Sequence, residues 1–178
     1  IMGPGDVQSI QLSKEQQGVV DTIQNTGKGF HPYLLHGVTG SGKTEVYLKL
    51  AQTTVEDEQS VLVLVPEIAL TPQVAIRFRK AFGSRVALWH SRMTKAEKGW
   101  TWQQLKKGEY SVVVGARSAI FAPLKNLGLI IVDEEQESSY KQENPAPRYH
   151  ARDVAMVRGK QANAIVLLTS ATPCLESY

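Results

Sequence analysis

The sequence predicts an α/β fold in three layers, a mostly parallel central sheet with helices on both faces. Three observations lead there. Apolar, β-branched runs such as Ser60-Val61-Leu62-Val63-Leu64-Val65 lack the alternation of a half-exposed strand, as expected of strands buried on both faces. These runs alternate along the chain with segments of helical periodicity, which is the pattern of a parallel sheet. Between an apolar run and a helix-like run lies Gly37-Val38-Thr39-Gly40-Ser41-Gly42-Lys43-Thr44, the G-x-x-x-x-G-K-[ST] spacing of a phosphate-binding loop in its strand, loop and helix setting.

The elements follow in order. Ser13-x-x-Gln16 has the form of a capping box and Val19, Val20 and Ile23 supply an apolar stripe, predicting a helix over 14–24. Tyr33, Leu34 and Leu35 form the apolar run before the glycine-rich loop, and 45–54 the helix after it. The strand 60–65 ends at Pro66. Thr71-Pro72 reads as an N-cap with proline at the first helical position, opening a helix to 82 that carries Arg77, Arg79 and Lys80. A short strand is expected at 86–89, and Thr94-x-x-Glu97 opens a helix to 107. Strands at 111–115, 127–132 and 164–169 complete the sheet, with a long polar loop from 135 to 152.

At 178 residues, 42% hydrophobic and 21% charged, the chain suits one globular domain with its own core. A net charge of +3 permits a polyanionic partner, but an ordinary solvated surface accounts for it equally. The single cysteine, Cys174, excludes an internal disulfide framework and an all-cysteine zinc site within this chain, and His36, His90 and His150 are scattered, so zinc is not expected. A reducing, cytoplasmic setting is expected. No apolar run approaches the ~20 residues of a spanning helix and no signal peptide precedes the core, so no membrane partner is expected. Residues 1–11, whose opening stretch is rich in glycine and proline, read as a linker or expression remnant, which leaves 12–178 as the domain.

In an open parallel sheet, ligands gather at the carboxyl ends of the strands. In the loop, Gly37, Gly40 and Gly42 let successive N–H groups converge on one anion, and the following helix adds the positive end of its dipole. Lys43 would reach the β and γ phosphates of ATP, and the Thr44 hydroxyl would ligate Mg²⁺. Asp133 and Glu134 emerge together after Leu-Ile-Ile-Val: Asp133 as a magnesium ligand, Glu134 as the base that orients and deprotonates water. Ser170-Ala171-Thr172 follows the last strand and either bonds the acidic pair or forms a simple hydroxyl turn. Gln16 either caps its own helix or reads an adenine edge. The 135–152 loop interleaves Tyr140, Lys141, Arg148, Tyr149, His150 and Arg152. That pattern suits single-stranded nucleic acid, and it equally suits aromatic anchors pinning a loop.

Taken together, these residues resemble the primosomal protein N-prime (PriA) family of superfamily 2 replication-restart DNA helicases. The resemblance runs from Leu12 to the last residue and rests on the following segments besides the phosphate loop: Leu12-Ser-Lys-Glu-Gln16, Val65-Pro-Glu-Ile-Ala-Leu-Thr-Pro-Gln73, His90-Ser91, Val114-Gly-Ala-Arg-Ser-Ala-Ile-Phe121, Asp133-Glu-Glu135, Ser139-Tyr-Lys-Gln142, Pro147-Arg-Tyr-His-Ala-Arg-Asp153 and Ser170-Ala-Thr-Pro173. It implies a first RecA-like P-loop NTPase lobe using ATP and Mg²⁺, with Gln16 on adenine. It further implies DNA contact or coupling at Pro66, Glu67, Arg117, Ser118, Tyr140, Lys141, Arg148, Tyr149, Arg152, Ser170 and Thr172. The implied partners are DNA forks and single strands, a second RecA-like lobe, primosome components and single-strand-binding proteins. Two departures stand out: Gln136 where the family has His, and Ala116 where it has Thr. The chain shows no second lobe, cysteine-rich zinc module or N-terminal DNA-end-binding domain, so one lobe of a motor is expected. The rival readings are a P-loop ATPase without a nucleic-acid partner and a non-catalytic binding module.

Overall fold

The computed structural model describes residues 9–38 and 40–172. Thr39 and residues 1–8, which hold most of the expected linker, lie outside the described residues. The strands are β1 (His31–His36), β2 (Ser60–Leu64), β3 (Val86–Trp89), β4 (Val112–Gly115), β5 (Leu127–Val132), β6 (Lys141–Gln142), β7 (Tyr149–His150) and β8 (Ile165–Ser170). The helices are α1 (Lys14–Asn25), α2 (Lys43–Glu56), α3 (Pro72–Phe82), α4 (Lys95–Lys107) and α5 (Ala151–Ala162). Six strands form one sheet in the order β1-β8-β5-β2-β4-β3. Every pairing in it is parallel.

Why these segments take these forms is local chemistry. Both expected capping boxes are present, Ser13 with Gln16 on α1 and Thr94 with Glu97 on α4, and the Thr71 side chain caps α3 ahead of Pro72. Gly108 closes α4 in the left-handed conformation. Along the strands, alternate residues serve opposite layers. Val61, Val63, Val112, Val114, Leu129 and Ile131 face a core shared with α1, α2 and α3. Leu62, Leu64, Val113, Ile130 and Val132 face a second core with Leu105 of α4 and Ala151 and Ala155 of α5. The central strands β2 and β5 are buried at every residue, which explains their unbroken apolar sequence.

The segment from 135 to 152 is not the long loop that its polarity suggests. It holds a 3-10 turn at Ser138–Tyr140 and a small antiparallel ribbon of β6 with β7, and Arg152 already belongs to α5. The helix escapes pattern reading because its buried positions are small, Ala151, Ala155 and Gly159, so it has no large apolar stripe. Small residues are needed there: a Cβ on Gly159 would stand 2.3 Å from a methyl of Val166 on β8. Among the described residues no helix is long and apolar enough to cross a membrane.

Two glycines with opposite surroundings test this packing. A Cβ on Gly115, at the end of β4, would lie 2.5 Å from the backbone oxygen of Trp89, whereas one on Gly99, inside α4, meets nothing within 4 Å. Gly115→Ala is expected to lower stability by about 1–3 kcal/mol through overpacking against backbone. Gly99→Ala is expected to raise it by about 0.5–1 kcal/mol by relieving helix entropy. Urea denaturation of both variants beside the parent checks the opposite signs.

Candidate functional site

The phosphate-binding-type loop joins β1 to α2. Gly40 and Gly42 take φ of +82° and +80°, left-handed conformations in which an L side chain is strained. Gly42 is the N-cap of α2 and has no side-chain cap, so the first amides of the helix are left to another acceptor. The loop is tied to the last strand, since the Gly37 amide donates to the Ser170 carbonyl at 3.1 Å. Lys43 folds back over it and donates from Nζ to the carbonyls of Gly37 (2.5 Å) and Val38 (3.2 Å). The same Nζ stands 3.9 Å from Glu134 Oε1, which brings the loop and the acidic pair into one site. Gln16 spends both ends of its amide within the protein. Its Oε1 accepts from the Ser13 amide at 2.8 Å, completing the cap, and its Nε2 donates to the Gly42 carbonyl at 3.2 Å.

The acidic pair is fixed from two sides. The Asp133 amide donates to Leu64 of β2 and the Glu135 amide to Thr169 of β8, each at 2.9 Å. Thr169 Oγ1 donates to Asp133 Oδ1 at 2.5 Å and accepts the Glu134 amide at 3.3 Å. Tyr47 of α2 donates its hydroxyl to Asp133 Oδ2 at 3.4 Å. Burial pushes the Asp133 carboxyl above its ordinary pKa, and the Thr169 bond offsets part of that. Burial likewise raises the Tyr47 phenol, with the Asp133 charge adding to it. Glu134 sits at φ +49°, a left-handed conformation uncommon for a residue with a side chain. Strain of this kind persists where neighbours over-determine it, as Thr169 and Gln136 do here.

Gln136 links the acidic pair to the segment after β8. Its Nε2 donates to Glu134 Oε2 at 2.8 Å, and its Oε1 accepts from Ser170 Oγ at 2.6 Å. Ser170 Oγ in turn accepts the Thr172 amide at 3.0 Å, so both alternatives for Ser170-Ala171-Thr172 describe it in part. There is a local hydroxyl turn, and it reaches Glu134 through an amide. Residues 173–178, with the expected Pro173 and Cys174, lie outside the described residues.

The residues expected at a nucleic-acid face divide into two groups. Tyr140 is wholly buried, and its hydroxyl donates to the Asp133 carbonyl at 2.5 Å. Its ring is closed to a base in this structure, so the anchoring alternative describes it. Arg117 donates to the carbonyls of Ser139 (3.3 Å) and Lys141 (3.0 Å), and Ser118 Oγ accepts from the Trp89 indole at 3.1 Å. Arg152 pairs with the fully buried Glu135 at 3.3 Å. Glu67 accepts from the Ser91 amide at 3.3 Å, and Pro66 is buried beside it. These groups brace the site's own framework. Lys141 and Arg148 are exposed, and together with half-buried Tyr149 they line a cleft of 490 Å³ with Gln142, Glu143, Asn144 and His150. Tyr149 meets Phe121 edge-on, with ring centroids 5.1 Å apart.

Thr169, Tyr47 and Phe121 are site residues that sequence reasoning missed as such. Tyr47 had a signal, since it lies three positions after Thr44 and so on the same helix face. Thr169 follows four apolar residues near the end of β8.

The DEAD/DEAH box helicase family profile matches residues 13–177, which takes in both the loop and the acidic pair. The chain belongs to this family. Its sequence is 52% identical over 171 residues to the replication restart protein PriA of Synechocystis sp., covering 96% of this chain and 20% of that protein. It is 50% identical over 169 residues to PriA of Chlamydia pneumoniae, covering 94% and 23%. PriA of Bacillus subtilis is likewise 50% identical, with 95% and 21% covered. The chain thus spans about a fifth of the length of the curated relatives it matches. Among solved structures, RecG bound to a three-way DNA junction superposes with a TM-score of 0.64 at 28% identity, over 96% of this chain and 22% of that one. The Hef helicase domain of Pyrococcus furiosus gives 0.66 at 19% identity, over 94% and 35%, and shares the fold.

The two tyrosines of the segment after the acidic pair are expected to part company. Tyr140→Ala should cost about 3–5 kcal/mol, as loss of a buried aromatic ring does. Tyr149→Ala should cost under about 1 kcal/mol, because its ring is half-buried and meets an exposed Phe121. Chemical denaturation of each variant measures the difference.

Proposed function

We propose that this chain is the first ATP-binding lobe of a DNA helicase acting in replication restart, with the loop at Gly37–Thr44 and the Asp133-Glu134 pair as its hydrolytic site. The observation that supports this best is the meeting of Lys43 and Glu134 at 3.9 Å across the loop, with Asp133 held in place by Thr169. The donor set fits the ligands. The glycine turn and the uncapped start of α2 offer amides to phosphate, and Thr44 and Asp133 offer the hard oxygens that Mg²⁺ prefers.

In this reading Gly37, Val38, Thr39, Gly40, Ser41 and Gly42 wrap the phosphates, and Lys43 exchanges its carbonyl partners for the β and γ oxygens. Gln16, which lies against the loop at Gly42, is the residue assigned to the adenine. Bound Mg²⁺ supplies charge neutralisation on the transferring phosphoryl group. Glu134 takes the proton of the attacking water at Oε1, since Gln136 occupies Oε2. The water oxygen bonds to the γ phosphorus as the bond to the β-phosphate oxygen breaks.

Lys141, Arg148 and Tyr149 supply cations and a ring to a single strand of DNA. Pro66, Glu67, Arg117, Ser118, Tyr140, Arg152, Ser170 and Thr172 carry the coupling, as framework between that face and the acidic pair. A second RecA-like lobe, elsewhere in a longer protein, completes the motor. DNA forks, primosome components and single-strand-binding proteins are its partners by likeness to proteins named for replication restart, and the cytoplasm is its setting.

Three variants test the reading. Lys43→Ala is expected to abolish nucleoside-triphosphate binding while the chain still folds, and equal affinity by calorimetry would sink the assignment. Glu134→Gln, with both lobes present, should bind ATP and Mg²⁺ yet lower kcat about 100-fold or more. An unchanged kcat would mean that another residue positions the water. Arg148→Ala should keep basal hydrolysis and lose most of its stimulation by single-stranded DNA, read as ATPase rate against DNA concentration.

A further inference from the structure

Tyr47 lies on α2 one turn beyond Thr44, and its side chain is 3% exposed. Its hydroxyl donates to Asp133 Oδ2 at 3.4 Å. Thr169 holds the other carboxylate oxygen, Oδ1, at 2.5 Å. Asp133 is therefore gripped from both flanks, by α2 through Tyr47 and by β8 through Thr169. The phenol cannot drift, because its ring stacks on Phe78 of α3 with centroids 6.4 Å apart and planes within 16°. Phe78 stacks in turn on Phe82 at 6.2 Å.

A core ring needs no hydroxyl, and a buried hydroxyl costs free energy unless it is hydrogen-bonded. Phenylalanine would fill the same space. What the oxygen adds is a bridge between two elements, α2, which carries Thr44 one turn before Tyr47, and the end of β5, which leads into Asp133. Thr44 and Asp133 are the two side chains concerned. Both are assigned to one divalent cation under the proposed function, and the present inference rests on that reading. We propose that Tyr47 is a positioning residue for this cation, holding Asp133 against α2, the helix that carries Thr44, in the orientation that binding requires. The Phe78 stack makes α3, which opens at Thr71-Pro72, part of the same support.

The test uses the full-length protein and Tyr47→Phe, which keeps the ring and its stack and removes only the bridge. ADP binding is measured by calorimetry in EDTA and at stepped Mg²⁺ concentrations, beside the melting temperature. The Mg²⁺ concentration for half-maximal enhancement of binding is expected to rise about tenfold, the low end of what losing an outer-shell partner costs a metal site. Affinity in EDTA and melting temperature should stay at the parent values. An unchanged Mg²⁺ midpoint would overturn the inference and leave Tyr47 as packing. So would a parallel loss of EDTA affinity and thermal stability, which marks a purely structural residue. Lys43→Ala run alongside separates the two levels: if it retains nucleotide, the site itself is misassigned and the Tyr47 inference falls with it. If Lys43→Ala loses nucleotide while Tyr47→Phe matches the parent, only the Tyr47 inference fails.

Discussion

One buried hydroxyl, Thr169 Oγ1, fastens both members of the acidic pair, donating to the Asp133 carboxylate and accepting the Glu134 amide. It can do so because β5 and β8 pair in parallel with Val132 opposite Leu168, which brings the next residue of each strand side by side. Shifting that register by one residue would turn Thr169 to the opposite face and leave Asp133 buried without it. Removing a carboxylate from water is costly, and burial accordingly raises the pKa of Asp133. The Thr169 hydroxyl and the Lys43 charge offset it only in part. On the proposed reading, a bound cation supplies the remainder, so the affinity for metal is stored in the way the strand ends are packed.

The same economy of connection extends outward from the pair. Tyr140 bonds the Asp133 carbonyl, Arg117 holds the carbonyls on either side of Tyr140, and Glu135 pairs with Arg152 at the start of α5. Arg158, further along α5, donates to the carbonyls of Ile120 and Ala122 and so ties this helix to the turn that carries Arg117. The exposed cleft with Lys141, Arg148 and Tyr149 thus stands on a base joined to the acidic pair by side-chain hydrogen bonds. These bonds end on Asp133 and Glu135, the residues on either side of Glu134. Gln136 adds a further link, bridging Glu134 and Ser170 with the two ends of one amide. An amide can donate and accept at once without a choice of tautomer, so glutamine in this place keeps the bridge whatever the protonation state around it.

Much of this chain was legible before any coordinates. The layer order, the capped starts of α1, α3 and α4, the glycine loop and the emergence of Asp133 and Glu134 after a buried strand are all written in short-range pattern. Cap chemistry, strand burial and loop geometry act over a few residues, so a few residues specify them. Tertiary structure alone decided which side chains face each other across elements. Tyr47 on Asp133, Tyr140 under the same residue, Arg117 on the 139–141 backbone and Arg152 on Glu135 join positions 17 to 86 residues apart or span separate elements. The helix α5 was hidden for a related reason: it packs so closely on β8 that its buried face must be Ala and Gly, which carry no hydrophobic period. Sequence by itself determined which residues reach the carboxyl edge of the sheet, because each strand delivers its own last residues there. Whether a tyrosine there meets solvent or a carboxylate was settled by the packing of neighbouring layers, since a side chain's surroundings belong to every element that touches it.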